Sequence, residues 1–326
     1  MLDFVILKEE SDILILEIPP RKVDVKKEAD VIEDILRIYG YNNIAVSKHV
    51  NSTITYSEKP DREKIVNIIS DMLAANGFSE IMCNSLNPGA WYERNDDFNN
   101  DQLVVLANPL SSDLNAMRQS LLFGGLSSVA WNLNRQNPDL KLFEFGHCYF
   151  YSKSGDTYPT PDNYFEHENL DLFLTGFPVK QSWNCKTSPT DFFHVKSYVE
   201  MVISRLGLNT DSLVTGESEK KYFSESVSYM HNNRVVAEAG KISKRYLKQF
   251  DIDQDVYYGN IEWDLLLKVT KGHSISFREL PKYPSVRRDL ALLLDRSINF
   301  SQVRNLALKD RKSTRLISSH VSQSRM

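Results

Sequence analysis

The sequence predicts an α+β protein with an antiparallel or mixed β-sheet and flanking helices. Strands slightly outnumber helices along the middle of the chain, and the runs 141–146 and 170–176 have the composition and length of strands. Residues 61–76 and the segment opened by Asp191 instead repeat apolar residues at three- and four-residue steps, as amphipathic helices do. Two further strands form a hairpin about Asn232 and Asn233, because asparagine tolerates the positive φ of a tight turn.

The composition is that of a folded globular protein without an excess of positive charge. The chain has 326 residues, 41% hydrophobic and 25% charged, which predicts two or three domains. Its net charge of -4 supplies no basic field for nucleic acid, so any RNA contact would be local. No apolar stretch approaches the roughly 20 residues of a membrane span, and the amino terminus lacks a signal peptide. Together with three scattered cysteines, this predicts a cytoplasmic protein with no membrane contact.

The first part of the chain predicts a small β-then-α unit. Strands at 4–7 and 13–18 flank a charged turn, and two prolines end the second strand. A helix from Glu28 to Tyr39 follows, and Gly40 ends it because glycine readily adopts positive φ. The composition of residues 45–60 predicts an extended connection that ends at a domain boundary near position 60.

The middle of the chain predicts alternating strands and helices. The further elements expected here are strands within 78–86 and 103–108, a helix over 114–133, and a polar surface excursion over 151–169.

A third unit begins near residue 272. It contains a predicted strand at 290–294 and a helix entered through Asn299 or Ser301. Residues 311–326 contain no acidic and no aromatic residue and too few apolar residues to bury a face, which predicts disorder. Our hypothesis is that this tail is not native sequence.

One helix carries an unusual concentration of acidic residues. Asp30, Glu33 and Asp34 share the face opposite its apolar residues, and Asp24 lies just before it. Four carboxylates close together suit a hard cation with oxygen ligands. An ordinary solvated helix remains an alternative, since acids in a first turn oppose the macrodipole favourably and Glu33 can pair with Arg37. Lys26 and Lys27 could also neutralise these acids.

Other motifs do not indicate catalysis. The sequence contains neither G-x-x-x-x-G-K-[ST] nor G-x-G-x-x-G nor G-x-S-x-G. His147 and Cys148 have no third soft ligand at metal spacing. The basic residues Lys241, Lys244, Arg245 and Lys248 have helical spacing, but a solvated face is the default interpretation.

Residues 21–44, RKVDVKKEADVIEDILRIYGYNNI, resemble the bacterial phenylalanine–tRNA ligase beta subunit family. In that family, Arg-x-x-Asp leads to an acidic helix that closes with Arg-x-Tyr-Gly-Tyr. Further similar segments follow in order through nearly all of residues 1–310: EKIVNIISDMLAANGFSEIMCNSL, NPLSSDLNAMRQSLLFGGLSSVAWNLNRQNPDLKLFEFG, DFFHVKSYVEMVISRLGL and FRELPKYPSVRRDLALLLD.

The resemblance implies a domain layout. Residues 1–47 correspond to the end of a winged-helix-like domain, 48–270 to a class II synthetase-like domain without catalytic residues, and 272–310 to the start of a ferredoxin-like anticodon-binding domain. The amino-terminal tRNA-binding and editing modules of the family, and most of its anticodon-binding domain, are expected to be missing.

The resemblance also implies a site and partners. It identifies Asp24, Asp30, Glu33 and Asp34 as ligands of a Mg²⁺ ion shared with the alpha subunit, with Asp34 standing where Glu is usual. The implied assembly is an alpha2-beta2 heterotetramer that attaches phenylalanine to tRNA(Phe) with ATP, and this chain is its scaffold. Two alternatives are a noncatalytic winged-helix nucleic-acid-binding protein and a free-standing amino-acid-activating enzyme.

Overall fold

The computed structural model describes residues 2–45, 49, 52–53, 61–152, 160–179, 182–184, 188–271, 289, 291–295, 297–298 and 300–309. The chain divides into two compact units, Met1–Lys271 and Gly272–Met326. The strands are β1 (Val5–Glu10), β2 (Ile13–Glu17), β3 (Ser79–Glu80), β4 (Leu86–Asn87), β5 (Ala116–Met117), β6 (Leu140–Tyr151), β7 (Tyr164–Thr175), β8 (Val214–Gly216), β9 (Phe223–His231), β10 (Arg234–Ile242) and β11 (Val256–Glu262). The helices are α1 (Glu28–Tyr39), α2 (Arg62–Ala75), α3 (Ala90–Glu93), α4 (Leu122–Leu133), α5 (Phe192–Arg205), α6 (Lys244–Leu247), α7 (Trp263–Thr270) and α8 (Phe300–Lys309).

The amino-terminal segment is a β-hairpin followed by a helix. β1 and β2 pair in antiparallel fashion, with a register shift between Ile6 and Lys8. Helix α1 has the predicted ends, and Gly40 after it has φ +91°, a conformation that a residue with a Cβ rarely adopts. The predicted β-then-α unit is therefore confirmed. The predicted boundary at residue 47 lies outside the described residues.

A seven-stranded sheet forms the centre of the larger unit. Its strand order is β3-β6-β7-β11-β10-β9-β8, and all neighbours are antiparallel except β3 and β6. This confirms the α+β class and the mixed sheet with flanking helices. The hairpin between β9 and β10 turns through Asn232 and Asn233 at φ 48° and 60°, as predicted.

The two faces of this sheet carry separate hydrophobic cores. Leu172 on β7 points to the core that contains apolar residues of α2, α5 and α7. Phe173, the next residue on β7, points to the other core, which contains residues of α4 and many aromatic rings. Because successive strand residues point to opposite faces, both faces of the sheet are covered. The central sheet is thus an interior element.

Two helices of this unit begin after an aspartate that caps the first turn. The Asp61 carboxylate accepts the backbone N–H of Lys64 at 3.3 Å, and Asp191 accepts that of His194 at 3.0 Å. Acidic side chains at these positions satisfy N–H groups that the first turn leaves unpaired.

Several predicted elements are wrong. Within 78–86, only Ser79–Glu80 joins the large sheet as β3, with Leu86 in the two-residue β4. The predicted strand at 103–108 is reduced to one bridge between Val105 and Ala116. The helix expected over 114–133 begins only at Leu122, because Ala116–Met117 pairs with β4 instead.

Two surface predictions are also corrected. The expected polar excursion at 151–169 is partly strand, since β7 begins at Tyr164 and pairs with β6 as far as Tyr151. The basic residues with helical spacing do not all lie on one helix, because Lys241 lies in β10, where its ammonium binds Asp255 at 2.7 Å.

The second unit is described only in part. Helix α8 confirms the helix predicted there. The strand predicted at 290–294 is not found for residues 291–294, while Leu290 and the tail 311–326 lie outside the described residues. Within the described ranges of both units, no helix has the length and apolar content to cross a membrane.

Candidate functional site

Asp30, in the first turn of α1, binds the backbone of its own chain. One carboxylate oxygen accepts the N–H groups of Lys26 and Lys27, each at 2.8 Å. These two hydrogen bonds, with a smaller contribution from the Lys26 charge, hold the pKa of Asp30 below its usual range. Lys26 and Lys27 therefore stabilise the anionic carboxylate mainly through their amides, and Asp30 in turn secures the start of the helix.

Asp34, one turn further along α1, forms an ion pair that the sequence did not reveal. Its carboxylate accepts a hydrogen bond from the ammonium of Lys22 at 2.7 Å, and both side chains are partly exposed, at 20% and 24%. The same ammonium lies 4.5 Å from the ring centre of Phe4. Helical spacing could not predict this contact, because Lys22 lies several residues before the helix. The contact depends on the turn that begins at Pro19.

Glu33 and Asp24 are the two more exposed members of the predicted set. Glu33 accepts the Arg37 guanidinium at 2.7 Å, one turn along the helix, and this hydrogen bond raises the pKa of Arg37. The sequence left open that Glu33 pairs with Arg37 on a solvated helix, and the structure shows this ion pair. Asp24 is exposed and has no ion pair with any residue that the structure describes.

The predicted carboxylates do not assemble into a closed metal site within this chain. In the described part of the chain, no three acidic, histidine or cysteine side chains lie close enough together to hold a metal ion. Carboxylate oxygens suit Mg²⁺ chemically. However, three of the four already have a partner in their own chain, so the geometry of one chain alone does not fit the ion.

The amino-terminal segment also exposes an apolar surface. Among residues 2–45, none is buried. On α1, Ile35, Ile38 and Tyr39 are 43%, 51% and 58% exposed, and Ile6 and Leu7 of β1 are 60% and 61% exposed. Exposed apolar surface of this extent is typical of an interaction surface. The segment therefore offers acids at one side of its helix and apolar side chains at the other.

The central sheet carries a second group of charged residues, and they are buried. Register pairs Glu144 of β6 with Asp171 of β7, Asp171 with Asn260 of β11, and Asn260 with Glu238 of β10. These four side chains form a row across the face that α4 covers, because Phe173, two residues beyond Asp171, belongs to the core containing α4. All but Asn260 are less than 9% exposed.

Two carboxylates of this polar row, those of Glu144 and Asp171, form hydrogen bonds with neighbouring side chains. Arg118 donates to Glu144 at 2.7 Å and to the carbonyl oxygens of His147 and Cys83. Near the middle, Asp171 accepts the Tyr258 hydroxyl and the side-chain amide of Asn260. Burial is the main cause that raises the pKa of Asp171 to about 7.

Helix α4 can pack closely against this face of the sheet because Gly125 has no side chain. A Cβ built at Gly125 would be 2.0 Å from the ring of Phe173. No side chain fits between helix and sheet at that distance, so the glycine permits close packing. The acids on this face of the sheet could not be predicted from the sequence, because cross-strand register is not local in sequence.

Comparison with known proteins identifies two family models along the chain. Residues 1–41 match the model described as tRNA synthetase B5 domain. Residues 46–263 match the model described as phenylalanyl tRNA synthetase beta chain CLM domain. The second match covers more than half of the chain, including all strands of the seven-stranded sheet.

Curated relatives agree with the second model. The chain is 41% identical over 314 residues to the phenylalanine–tRNA ligase beta subunit of Bacteroides thetaiotaomicron, which covers 95% of this chain and 38% of that protein. It is 36% identical over 309 residues to the same subunit of Porphyromonas gingivalis, covering 94% and 38%. The chain thus spans 38% of the length of these relatives.

Among solved structures, the chain is similar to a pyrrolysyl-tRNA synthetase from Desulfitobacterium hafniense. The identity is 13% and the TM-score 0.48, over 65% of this chain and 70% of that chain. This likeness is too distant to add to the family assignment. From the match over residues 46–263, the chain belongs to the phenylalanyl tRNA synthetase beta chain family.

Proposed function

We propose that this chain is the scaffolding part of a phenylalanine–tRNA ligase beta subunit. In this proposal it joins a catalytic alpha subunit in an alpha2-beta2 heterotetramer in the cytoplasm. The assembly attaches phenylalanine to tRNA(Phe) in an ATP-dependent reaction, and this chain supplies no catalytic residue. Family membership and the similarity to named beta subunits support the proposal.

The proposed domain layout follows the same resemblance. We assign residues 1–47 to a winged-helix-like domain, 48–270 to a class II synthetase-like domain, and 272–310 to the start of a ferredoxin-like anticodon-binding domain. In the central domain, the covered polar row supports a structural role, since Glu144 and Asp171 lie at 0% exposure beneath α4.

One observation carries the scaffold role: the amino-terminal segment leaves all its apolar side chains at least partly exposed. No residue from 2 to 45 is buried, although Ile35, Ile38 and Tyr39 form a continuous side of α1. Association with another chain would remove this surface from water and is favourable for that reason. A scaffold that docks through this segment accounts for both its apolar and its acidic residues.

We further propose that Asp24, Asp30, Glu33 and Asp34 contribute to a Mg²⁺ site that is completed by the alpha subunit. Mg²⁺ commonly takes one or two protein carboxylates and keeps several waters. A site of this kind does not require all four carboxylates to converge in one chain. When bound, the ion would neutralise negative charge between the two subunits.

Glu33 offers the sharpest test of the shared site because its ion pair provides a matched control. Both Glu33→Gln and Arg37→Gln remove the exposed contact between these residues, but only the first removes a carboxylate. We expect Glu33→Gln to weaken Mg²⁺-dependent association with the alpha subunit at least tenfold, while Arg37→Gln leaves it unchanged. The measurement is a magnesium titration of subunit binding by biolayer interferometry.

Equal effects of the two substitutions would show that the helix surface, not metal ligation, determines association. Salt-dependent binding of duplex DNA by the chain would favour the nucleic-acid-binding alternative. Phenylalanine-dependent exchange between ATP and pyrophosphate by the purified chain would favour a free-standing enzyme. Neither alternative is supported by the net charge of -4 or by the family match.

A further inference from the structure

A cavity of about 450 Å³ opens in the larger unit, where β7, β10 and β11 meet the start of α7. Its lining comes from three strands, from α7 and from the segment between β8 and β9: His167, Lys220, Arg234, Val235, Glu238, Glu262, Asp264, Leu265 and Lys268. Pockets of 300–1,000 Å³ typically hold small molecules. The cavity is separate from the acidic residues of α1.

One carboxylate of the cavity lining has neither a hydrogen bond nor an ion pair within the described part of the chain. Glu238 accepts the hydroxyl of Ser218, whereas Glu262 has no hydrogen bond or ion pair with any described residue. Burial is the main cause that raises the pKa of both carboxyl groups. The positive charge of Lys220 opposes this rise at both residues, and that of His167 opposes it at Glu262. A cation brought into the cavity would stabilise the anionic form of Glu262.

Two cations of the cavity lining have no ion-pair partner in the ranges that the structure describes. Among the described residues, Arg234 and Lys268 are within ion-pair distance of no carboxylate. Asp264, which lies one turn before Lys268 on α7, feels the lysine charge but is bound by Arg62 at 2.7 Å. The cavity lining therefore carries charges of both signs, and Glu262, Arg234 and Lys268 form no ion pair with any described residue.

Apolar side chains complete the lining. Val235 is 38% exposed, and Leu265 of α7 is partly buried. A ligand that matches the cavity needs an ammonium group, an anionic group and a short apolar part.

We propose that this cavity binds a free α-amino acid with an aliphatic side chain. Its ammonium group would pair with Glu262, its carboxylate with Arg234 and Lys268, and its side chain would contact Val235 and Leu265. The inference depends only on the cavity and not on the function proposed for the chain as a subunit.

L-leucine and its two half-molecules test this arrangement. The compound 3-methylbutylamine keeps the ammonium group and the side chain, and 4-methylpentanoate keeps the carboxylate and the side chain. We expect L-leucine to bind the full chain at least tenfold more tightly than either half-molecule, measured by titration with NMR detection. Equal binding of all three compounds, or no binding of leucine, would overturn the proposal.

Three variants locate the binding. Glu262→Gln and Arg234→Gln should each weaken leucine binding at least tenfold, while Glu225→Gln, an exposed acid on β9 outside the cavity, should leave it unchanged. Urea unfolding of each variant checks that it is folded. Arg234 is exposed, so its variant remains informative if Glu262→Gln does not fold. Leucine binding that none of the cavity variants reduces would show that the ligand sits elsewhere.

Discussion

Two arginine–glutamate pairs in this chain have the same length and opposite surroundings. Arg118 and Glu144 are 2.7 Å apart beneath α4, where the side chains are 6% and 0% exposed. Arg37 and Glu33 are also 2.7 Å apart on α1, but 65% and 54% exposed. A buried ion lacks water to replace a lost partner, whereas an exposed one is solvated at once. Stability therefore depends on the first pair, and the second is available for contact with other molecules.

Two aspartates extend this comparison to pH. In the interior, burial raises the pKa of Asp171 to about 7. On α1, backbone N–H groups lower the pKa of Asp30. Protonation of the first residue therefore favours the folded state, and protonation of the second opposes it.

The largest expected effect comes from removing one partner of the buried pair. Glu144→Leu leaves the Arg118 guanidinium buried without its carboxylate, and loss of one partner of such a pair costs about 3–5 kcal/mol. We expect a decrease of this size in the free energy of unfolding, measured with urea. Glu33→Leu is the matched control and should not change it.

The double variant Glu144→Leu with Arg118→Met should recover most of the lost stability, because two apolar side chains replace both charges. If Glu144→Leu had as little effect as Glu33→Leu, the buried row would not determine the stability of the central domain.

Gly125→Ala should destabilise the protein by about 1–3 kcal/mol, since the new methyl group meets the ring of Phe173 and overpacked cores lose stability in this range. The urea midpoint is the measurement. Gly216→Ala serves as control, because a Cβ there would be 3.4 Å from the nearest side-chain atom. Similar midpoints for the two variants would contradict the close contact between α4 and the sheet.

The pH dependence of stability should change in Asp171→Asn. Between the unfolded pKa of 3.8 and the folded pKa of about 7, folded Asp171 binds more protons than the unfolded residue does, so its contribution to stability falls as pH rises. The unfolding free energy of the wild type minus that of the variant should therefore decrease from pH 5 to pH 7.5. Asp113→Asn, at an exposed position, should keep the wild-type profile. A constant difference across this range would contradict the assignment.

The smallest expected effect is local. Asp30→Ala removes the acceptor of the Lys26 and Lys27 amides, so these two amides should exchange with solvent faster while the global urea midpoint stays unchanged. Hydrogen exchange followed by NMR measures the local change at the two amides, and urea unfolding measures global stability. Unchanged exchange would show that the first turn of α1 does not depend on this carboxylate.

Local sequence signals predicted the elements that local forces determine. Helix α1 begins and ends as predicted because apolar periodicity and Gly40 act within one helix. The hairpin at Asn232 and Asn233 was predicted because both residues accept positive φ. The α+β class followed from such elements taken together.

Non-local contacts account for what the sequence could not predict. The run 103–108 resembles a strand, but its partner Ala116–Met117 is only two residues long and also pairs with β4. The row containing Glu144 and Asp171 depends on strand register, and the contact of Lys22 with Asp34 depends on a turn before the helix. The four proposed metal ligands were chosen from helix spacing and resemblance, and their joint role remains a prediction.

The native mass of this chain mixed with an alpha subunit, with Mg²⁺ and with EDTA, tests the central proposal most directly. We predict a stable mixed oligomer in Mg²⁺ that dissociates when the metal is chelated. The absence of a mixed species in both conditions would contradict the scaffold role, and an oligomer that persists in EDTA would contradict the shared metal site.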